Sequence, residues 1–435
     1  MRTERNGGNV SKRYRWKILA IMCCGSFINY VDRASLAIAA PFIVKEFHFT
    51  PAMMGTIFSA FFICYAFFNF IGGYLSDIYG PKKTLAVAMV FWSIFAGAPA
   101  LAWSFTSFIV FRLLFGAGEG PQGSVTNKMV NNWFPPTERA RAKGTSDSGF
   151  SLGAALAGPI VGLIALRWSW RISFLVITLL GLMWTVIWLK FVTDLPTQHP
   201  KVSPEELAAI SKRKALSSTP AAEHSIAYYI KQPIIISVAI AYFAFAYATY
   251  FFMTWFPSYL VMARHLSIKD MSIVSVIPWG LGAMGYIFGG TISDHLVKKG
   301  QDPISARRIV IAICMLGAAI AIALCGLATT ATAAIALMSI GILCLHFANP
   351  CFWATIQDSV APNRVGGVGG FVHFVSNLAG IFAPSITGLI VQRTHQFTSA
   401  FLVAGILAVA GSLAVAFFAK AIRETPMSQT AAASS

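Results

Sequence analysis

Four ionisable side chains interrupt stretches that are otherwise apolar: Asp32 and Arg33 in the first stretch, Arg112 and Glu119 in the fourth. An ionisable group in the apolar core of a membrane costs about 3 kcal/mol or more unless it is paired or hydrated, so it indicates function. Arg suits a carboxylate because its planar fork donates two parallel hydrogen bonds and stays charged. The set therefore predicts recognition of an organic anion beside carboxylates that could carry protons.

Helical spacing limits how these four residues can be arranged. Arg112 and Glu119 are seven residues apart, which places them on one helix face about 10 Å apart along the axis. Asp32 and Arg33 are adjacent and point about 100° apart, so they cannot face the same partner. One arrangement directs Arg33 into a central cavity and Asp32 towards the interface with the fourth stretch. The alternative is a pair of buried ion bridges that only hold the two stretches together.

The composition indicates a membrane protein. Of 435 residues, 56% are hydrophobic and 11% are charged, and the mean hydropathy is +0.67; a soluble domain has about 25% charged residues. These values exclude a soluble enzyme, a disordered protein and a nucleic-acid-binding protein. The expected surroundings are a lipid bilayer, and no nucleic acid partner is expected.

Twelve stretches are long enough to cross a bilayer as helices, which takes about 20 apolar residues each. We therefore predict an all-α, polytopic membrane protein with twelve transmembrane helices in two pseudo-symmetric six-helix bundles. The predicted divisions are an N-terminal bundle at 1–192, a linker at 193–232 with a surface helix at Pro204–Ala215, and a C-terminal bundle at 233–435. Predicted segments 1–12 lie near 18–43, 52–76, 83–103, 106–128, 144–166, 171–192, 233–262, 271–292, 308–328, 333–356, 366–391 and 398–420.

The distribution of Lys and Arg predicts the orientation. Most of these residues lie on the side of the termini and the linker, including Arg2, Arg5, Lys12, Arg13 and Lys128. Positive loops remain cytoplasmic, so both termini are expected inside. The first segment is too long for a cleavable signal peptide and contains charges. The seven cysteines fall inside predicted segments, so no disulfide is expected, and no metal-binding spacing occurs.

An internal repeat supports the two-bundle prediction. The sequence GGYLSD at 72–77 ends segment 2, and GGTISD at 289–294 ends segment 8, 217 residues later. Paired glycines allow close helix packing, and an Asp at a helix end can meet a helix dipole or a basic loop residue. We predict a conformational gate at this rim, formed by Gly73, Asp77, Lys82, Lys83 and Asp294. Transporters built from two repeats bind their substrate between the halves.

GGYLSDIYGPKK at 72–83 resembles a signature of the major facilitator superfamily, with Ile78 where that family usually has Arg, so that the basic function falls to Lys82 and Lys83. Four further sequences resemble its anion:cation symporter branch: NYVDR at 29–33, GAGEGP at 116–121, WFP at 133–135 and TWFP at 254–257. The resemblance implies a carrier of sugar acids or other organic carboxylates, usually driven by protons in bacteria.

The resemblance also implies roles for individual residues. Arg33 matches the anion-recognition position, Glu119 and Asp32 match proton-coupling positions, and Arg112 matches an Arg that pairs with the Glu. Polar pocket positions are matched by Tyr30, Tyr65, Asn69 and Asn377, while His373 stands where members often have Asn. Phe150 stands where sugar-acid carriers of this branch can have Gln. A more aromatic pocket, formed by Phe150 with Trp353, Tyr250 and Trp279, is therefore the alternative.

We therefore predict a proton-coupled carrier, not an enzyme, that imports an organic carboxylate by alternating access, most simply a sugar acid such as a hexonate, hexuronate or aldarate. It is expected to work as a monomer without cofactor or metal in a bacterial inner membrane. Symport of an aromatic or small dicarboxylic acid is the alternative. A membrane enzyme would need a nucleophile–base pair or a metal site, and none appears in the sequence. A channel would need a repeated pore-lining segment. A non-transporting nutrient sensor usually carries a long cytoplasmic extension.

Overall fold

A computed structural model describes residues 14–215, 224–361 and 364–420, and the regular elements in these ranges are helical. Arg2, Arg5, Lys12 and Arg13, used above for orientation, lie outside the described residues. The helices are α1 (Tyr14–Phe47), α2 (Pro51–Tyr79), α3 (Pro81–Gly97), α4 (Phe105–Glu119), α5 (Gln122–Trp133), α6 (Pro136–Ala157), α7 (Leu163–Arg167), α8 (Trp170–Phe191), α9 (Pro204–Ala215), α10 (Ile226–Ile230), α11 (Pro233–Met262), α12 (Ile268–Val274), α13 (Val276–Lys298), α14 (Pro303–Leu327), α15 (Ala331–Ser359), α16 (Val365–Thr394) and α17 (Thr398–Phe418).

Eleven helical spans in the described ranges are long and apolar enough to cross a membrane. Predicted segment 4 differs because it is interrupted: α4 has 15 residues and ends at Glu119, and α5 begins at Gln122. Pro121, which has no N–H to donate, stands at this break. The segments are therefore α1, α2, α3, α4–α5, α6–α7 and α8 in the N-terminal half, and α11, α12–α13, α14, α15, α16 and α17 in the C-terminal half.

The two copies of the repeat pack in the same way in their own halves. A Cβ at Gly72 would lie 2.3 Å from Cβ of Pro121, and a Cβ at Gly289 would lie 2.1 Å from the carbonyl oxygen of Phe347. The first copy thus packs α2 on the interrupted segment 4, and the second packs α13 on α15, its counterpart. The sequence repeat thus corresponds to a repeat in the structure, because each copy packs the second segment of its half against the fourth.

The surface presents a belt of large apolar side chains suited to lipid. Val87 of α3, three residues of α8 and Ile406 of α17 are all exposed; the three on α8 are Leu179, Met183 and Val186. An exposed apolar area of this extent marks a membrane-facing surface. The chain is a multi-pass membrane protein.

The linker is anchored to the N-terminal half through the buried carboxylate of Glu206 in α9. Its oxygens accept hydrogen bonds from the backbone N–H groups of Tyr14 (2.9 Å) and Arg15 (3.2 Å) and from Nη1 of Arg15 (3.0 Å). The first N–H groups of α1 have no partner within the helix, so this carboxylate satisfies them and the dipole favours its charge.

The two halves meet closely at the end of the molecule opposite the termini. There, Oγ of Ser59 in α2 donates to the carbonyl oxygen of Ile381 in α16 at 2.6 Å, and the rings of Phe58 in α2 and Trp255 in α11 lie 5.8 Å apart, centroid to centroid. Towards the termini, Phe67 and Tyr74 of α2 are 65% and 63% exposed. Among the described residues, the two halves are therefore in contact at this end, while α2 is exposed towards its other end.

We expect Gly55→Ala to destabilise this closed far end. A Cβ at Gly55 would lie 2.6 Å from the carbonyl oxygen of Pro384 in the other half, and overpacking of this kind costs about 1–3 kcal/mol. The equilibrium should shift away from the state described here. The backbone N–H of Ala52 donates a hydrogen bond to Oε1 of Gln392 across the halves at 3.1 Å. In a background without the native cysteines, cross-linking between cysteines introduced at these two positions should fall. Gly144→Ala is the matched control because no atom lies within 4 Å of its added Cβ; equal yields in both variants would contradict the expectation.

Candidate functional site

A buried ion pair between Arg33 of α1 and Glu119 at the end of α4 forms the centre of the site. Nε of Arg33 donates to Oε1 of Glu119 at 2.9 Å, and Nη2 of Arg33 also contacts that oxygen. The Glu119 side chain is fully buried, and among the described residues no hydrogen-bond partner meets its Oε2. α4 ends at Glu119, directly before the break at Pro121. The end of the helix fixes the position of the Glu119 carboxylate along the bundle.

Aromatic rings surround the Arg33 guanidinium. Its Cζ lies 5.0 Å from the ring centroid of Tyr30, 4.9 Å from that of Phe61 and 4.7 Å from that of Tyr65. Tyr30 in turn contacts Phe150 of α6, with centroids 4.7 Å apart. Ring faces attract a cation without neutralising it, so the guanidinium keeps its charge for an anion. Tyr30, Tyr65 and Phe150 thus meet at one place, as their sequence positions indicated.

Asp32 points away from Arg33 into the packing of the N-terminal half. Its Oδ2 accepts a hydrogen bond from Nε1 of Trp92 in α3 at 3.1 Å, and its Oδ1 is buried without a partner. The hydrogen-bond donor thus comes from segment 3, while Glu119 of segment 4 lies within electrostatic range of Asp32. An indole N–H can reach across the bundle, whereas spacing along one chain does not show which neighbour it reaches.

Arg112 does not form the ion pair with Glu119 that the family resemblance implied. Its Cζ lies 4.9 Å from the ring centroid of Phe61 and 5.1 Å from that of Phe115, and its Nε is buried without a hydrogen-bond partner. Seven residues of helix separate Arg112 from Glu119, about 10 Å of rise, and Arg33 from the neighbouring helix occupies the carboxylate instead. Both guanidinium groups contact the ring of Phe61.

The predicted gate residues pair within each half. Nζ of Lys128 in α5 contacts Oδ1 of Asp77, so the basic partner is not Lys82 or Lys83 as expected. The backbone N–H of Lys82 instead donates to Oδ1 of Asp194 at 2.7 Å. In the other half, Nη1 of Arg307 donates to Oδ1 of Asp294 at 2.6 Å.

A Cβ at Gly73 would lie 3.5 Å from Cβ of Ser124. Gly73 lines a groove together with Asn69 and Asp77. Asn69 therefore lies nearer the terminal end than Tyr65 and away from Arg33, although both residues are on α2. The groove lies between α2 and α5, within the N-terminal half.

The C-terminal half contributes the remaining predicted residues. Nδ2 of Asn377 and Nδ1 of His373 are 3.2 Å apart, and the His373 ring lies 6.3 Å from that of Trp353, centroid to centroid. The rings of His373 and Trp353 also lie 6.4 and 6.0 Å from that of Tyr242 in α11, centroid to centroid. His373, Asn377 and Trp353 therefore form one polar and aromatic surface. Asp147 of α6 forms an ion pair with Lys143, one turn earlier in the same helix.

Three residues that the sequence did not single out also belong to this region. Tyr242 joins the surface just described, and Tyr286 of α13 stacks on His346 of α15 with centroids 4.4 Å apart. Tyr286 lies within electrostatic range of Tyr30, Tyr242 and Tyr250. The available signal was weak: tyrosines in an apolar segment are ordinary packing residues. Among the residues described, no cluster of three or more His, Cys, Asp or Glu could hold a metal ion, and all seven cysteines are free.

The sequence was compared with known proteins. It matches the Major Facilitator Superfamily over residues 22–384 and 301–434. It is 46% identical to the hexuronate transporter of Bacillus subtilis (strain 168), covering 94% of this chain and 96% of that protein. It is 33% identical to a probable galactarate/D-glucarate transporter of Escherichia coli (strain K12), covering 90% and 91%.

Solved structures share the fold at low sequence identity. The crystal structure of a D-xylose-proton symporter matches with a TM-score of 0.70 and 16% identity, over 94% of this chain and 100% of that one. A bacterial homologue of the human lysosomal transporter Spinster, in an inward-facing and occupied conformation, matches with a TM-score of 0.71 and 17% identity, over 94% and 96%.

Proposed function

We propose that this chain, which belongs to the Major Facilitator Superfamily, imports a sugar acid, most specifically a hexuronate, together with protons. The observation that carries the proposal is the buried pair of Arg33 and Glu119. Arg33 is a buried cation among the rings of Tyr30, Phe61 and Tyr65. The only anion recorded in contact with it within the described residues is the Glu119 carboxylate, which one proton can neutralise.

The pair supplies a route for coupling. When Glu119 is charged, it occupies Arg33 and competes with any carboxylate that enters the cavity. When Glu119 takes up a proton, Arg33 is free to donate its fork to the substrate. A buried charge left without its partner is strongly unfavourable, so proton and substrate bind together. That mutual dependence is a coupling free energy, which is what symport requires.

The surroundings of Arg33 support a sugar acid as the substrate. Tyr30, Tyr65, Tyr242 and Asn377 offer hydroxyl and amide groups that match sugar hydroxyls. The similarity to a named hexuronate transporter at 46% identity points to the same class. An aromatic or small dicarboxylic acid is the outcome that Phe150 would favour, because it narrows the cavity beside Tyr30.

The orientation is part of the proposal. With the basic side cytoplasmic, the termini lie inside, and the structure is an inward-open state whose closed end faces outward. We place the carrier in the bacterial cytoplasmic membrane, acting as a monomer. The described N-terminal half, including the interrupted segment 4, would rock against the C-terminal half about the contacts of α2 with α16.

The test is uptake of labelled carboxylates into proteoliposomes that contain the purified full chain. The panel holds a hexuronate, an aldarate, a hexonate, an aromatic acid and a small dicarboxylic acid, each with and without an inward proton gradient. Accumulation of the hexuronate only with the gradient supports the proposal. Accumulation that ignores the gradient would contradict proton coupling, and entry of only aromatic or small dicarboxylic acids would contradict the substrate class.

A further inference from the structure

Tyr286 lies on α13, where glycines allow that helix to approach α15 closely. A Cβ at Gly282 would lie 2.5 Å from Nδ1 of His346, and a Cβ at Gly285 would lie 3.0 Å from Cβ of His346. The imidazole therefore fits only because α13 has no side chains at these two positions. Tyr286 follows one residue after the second glycine, and its ring stacks on the imidazole at 4.4 Å with an interplanar angle of 36°.

His346 is enclosed by aromatic rings and serves as a rigid support. Its centroid lies 5.9 Å from that of Trp279 and 6.2 Å from that of Phe245, and it is 2% exposed. The imidazole also meets the backbone of Gly282, which together with the surrounding rings holds it in place. The nearest of these rings is that of Tyr286, at 4.4 Å.

Tyr286, unlike His346, is only partly buried. It lies within electrostatic range of Tyr30 in the N-terminal half and of Tyr250 in α11. Those two tyrosines adjoin the ion-pair centre, since Tyr30 lies 5.0 Å from Cζ of Arg33 and Tyr250 interacts with Arg33 and Glu119. Tyr286 and Arg33 thus both lie near Tyr30, from opposite halves.

We propose that Tyr286, held in place by His346, binds the end of the sugar acid remote from the carboxylate, an inference that rests on the proposed function. Arg33 fixes the carboxylate on α1, and the rest of the molecule extends towards α13. The phenolic hydroxyl donates to or accepts from a distal sugar hydroxyl or carbonyl. His346 is a positioning residue, because it acts through the ring of Tyr286. A site that hydrogen-bonds a substrate hydroxyl discriminates against acids that lack it.

The test compares the dissociation constants of two acids for the purified full chain. A hexuronate has the distal groups, and glycerate shares only the carboxylate and the adjacent hydroxyls. Tyr286→Phe should weaken hexuronate binding about tenfold, the effect of one lost hydrogen bond in a buried site, and should leave glycerate binding unchanged. Tyr247→Phe is the matched control, because that hydroxyl is buried within the C-terminal half away from Arg33.

His346 is tested by rescue. His346→Ala should weaken hexuronate binding in the same selective way, and His346→Phe, which keeps a ring against Tyr286, should return it to within about twofold of the wild type. Equal weakening of both acids, or wild-type hexuronate binding in Tyr286→Phe, would overturn the inference and leave the proposed function standing. A wild type that binds no hexuronate would overturn both.

Discussion

Glu119→Gln should abolish accumulation driven by a proton gradient and leave exchange of bound substrate intact. Gln has the shape of Glu and can still accept a hydrogen bond from Arg33, but it carries no exchangeable proton. With the membrane potential clamped at zero, a gradient of one pH unit drives about tenfold accumulation for each coupled proton, because one unit is worth about 1.36 kcal/mol. We expect that factor to be lost in the variant.

The same variant should bind substrate independently of pH. Because the neutral amide no longer competes for Arg33, hexuronate affinity in Glu119→Gln should equal or exceed that of the wild type at every pH measured. Equilibrium binding across the pH range, together with counterflow in proteoliposomes, separates this result from simple loss of folding. Glu46→Gln is the matched control: it removes a carboxylate that is paired with Arg171 outside the cavity. Normal gradient-driven accumulation in Glu119→Gln would make the Arg33 pair structural.

The charged centre of the site could be predicted from the sequence, whereas its pairing could not. Arg33 and Glu119 are recognisable because an ionisable side chain in an apolar segment has no ordinary packing role. Which Arg meets Glu119 depends on the register between neighbouring helices. Arg112 shares a face of its own helix with Glu119, but the structure pairs Glu119 with Arg33. Distance along one helix is fixed by its rise, and distance between helices is not.

The repeat shows the same limit. Its glycines predicted close packing, which the contacts of Gly72 with Pro121 and of Gly289 with Phe347 confirm. The partner of Asp77 was expected in the adjoining loop at Lys82 and Lys83, yet it is Lys128 of α5. Segment 4 runs alongside α2 both before and after the break at Pro121, so a residue 51 positions away becomes the neighbour of Asp77.

Uncharged residues of the cavity gave the sequence little to detect. Tyr286 and His346 carry no period and no charge pattern that separates them from the packing of α13 and α15. Their placement follows from the absent side chains at Gly282 and Gly285, which only acquire meaning once the two helices are in contact. The sequence therefore identified the charged residues, whose burial costs much free energy, and missed the uncharged ones, whose burial costs little.

Arg33→Lys should weaken hexuronate binding about tenfold to a hundredfold, about 1.4–2.8 kcal/mol. Lys keeps the positive charge but has no planar fork, so it cannot donate two parallel hydrogen bonds to a carboxylate. It also loses part of the contact of the guanidinium with the rings of Tyr30, Phe61 and Tyr65. Equilibrium binding to the purified chain measures the change, with folding checked by thermal denaturation.

Two further Arg→Lys variants decide which cation holds the substrate. Arg171→Lys changes an Arg that pairs with Glu46 outside the cavity and should leave binding unchanged. Arg112→Lys tests the competing cation, whose Nε is buried without a partner. If Arg112→Lys loses hexuronate binding and Arg33→Lys retains it, Arg112 is the anion site and Arg33 is only the partner of Glu119. If both lose it, the two guanidinium groups, which both contact the ring of Phe61, hold one carboxylate together.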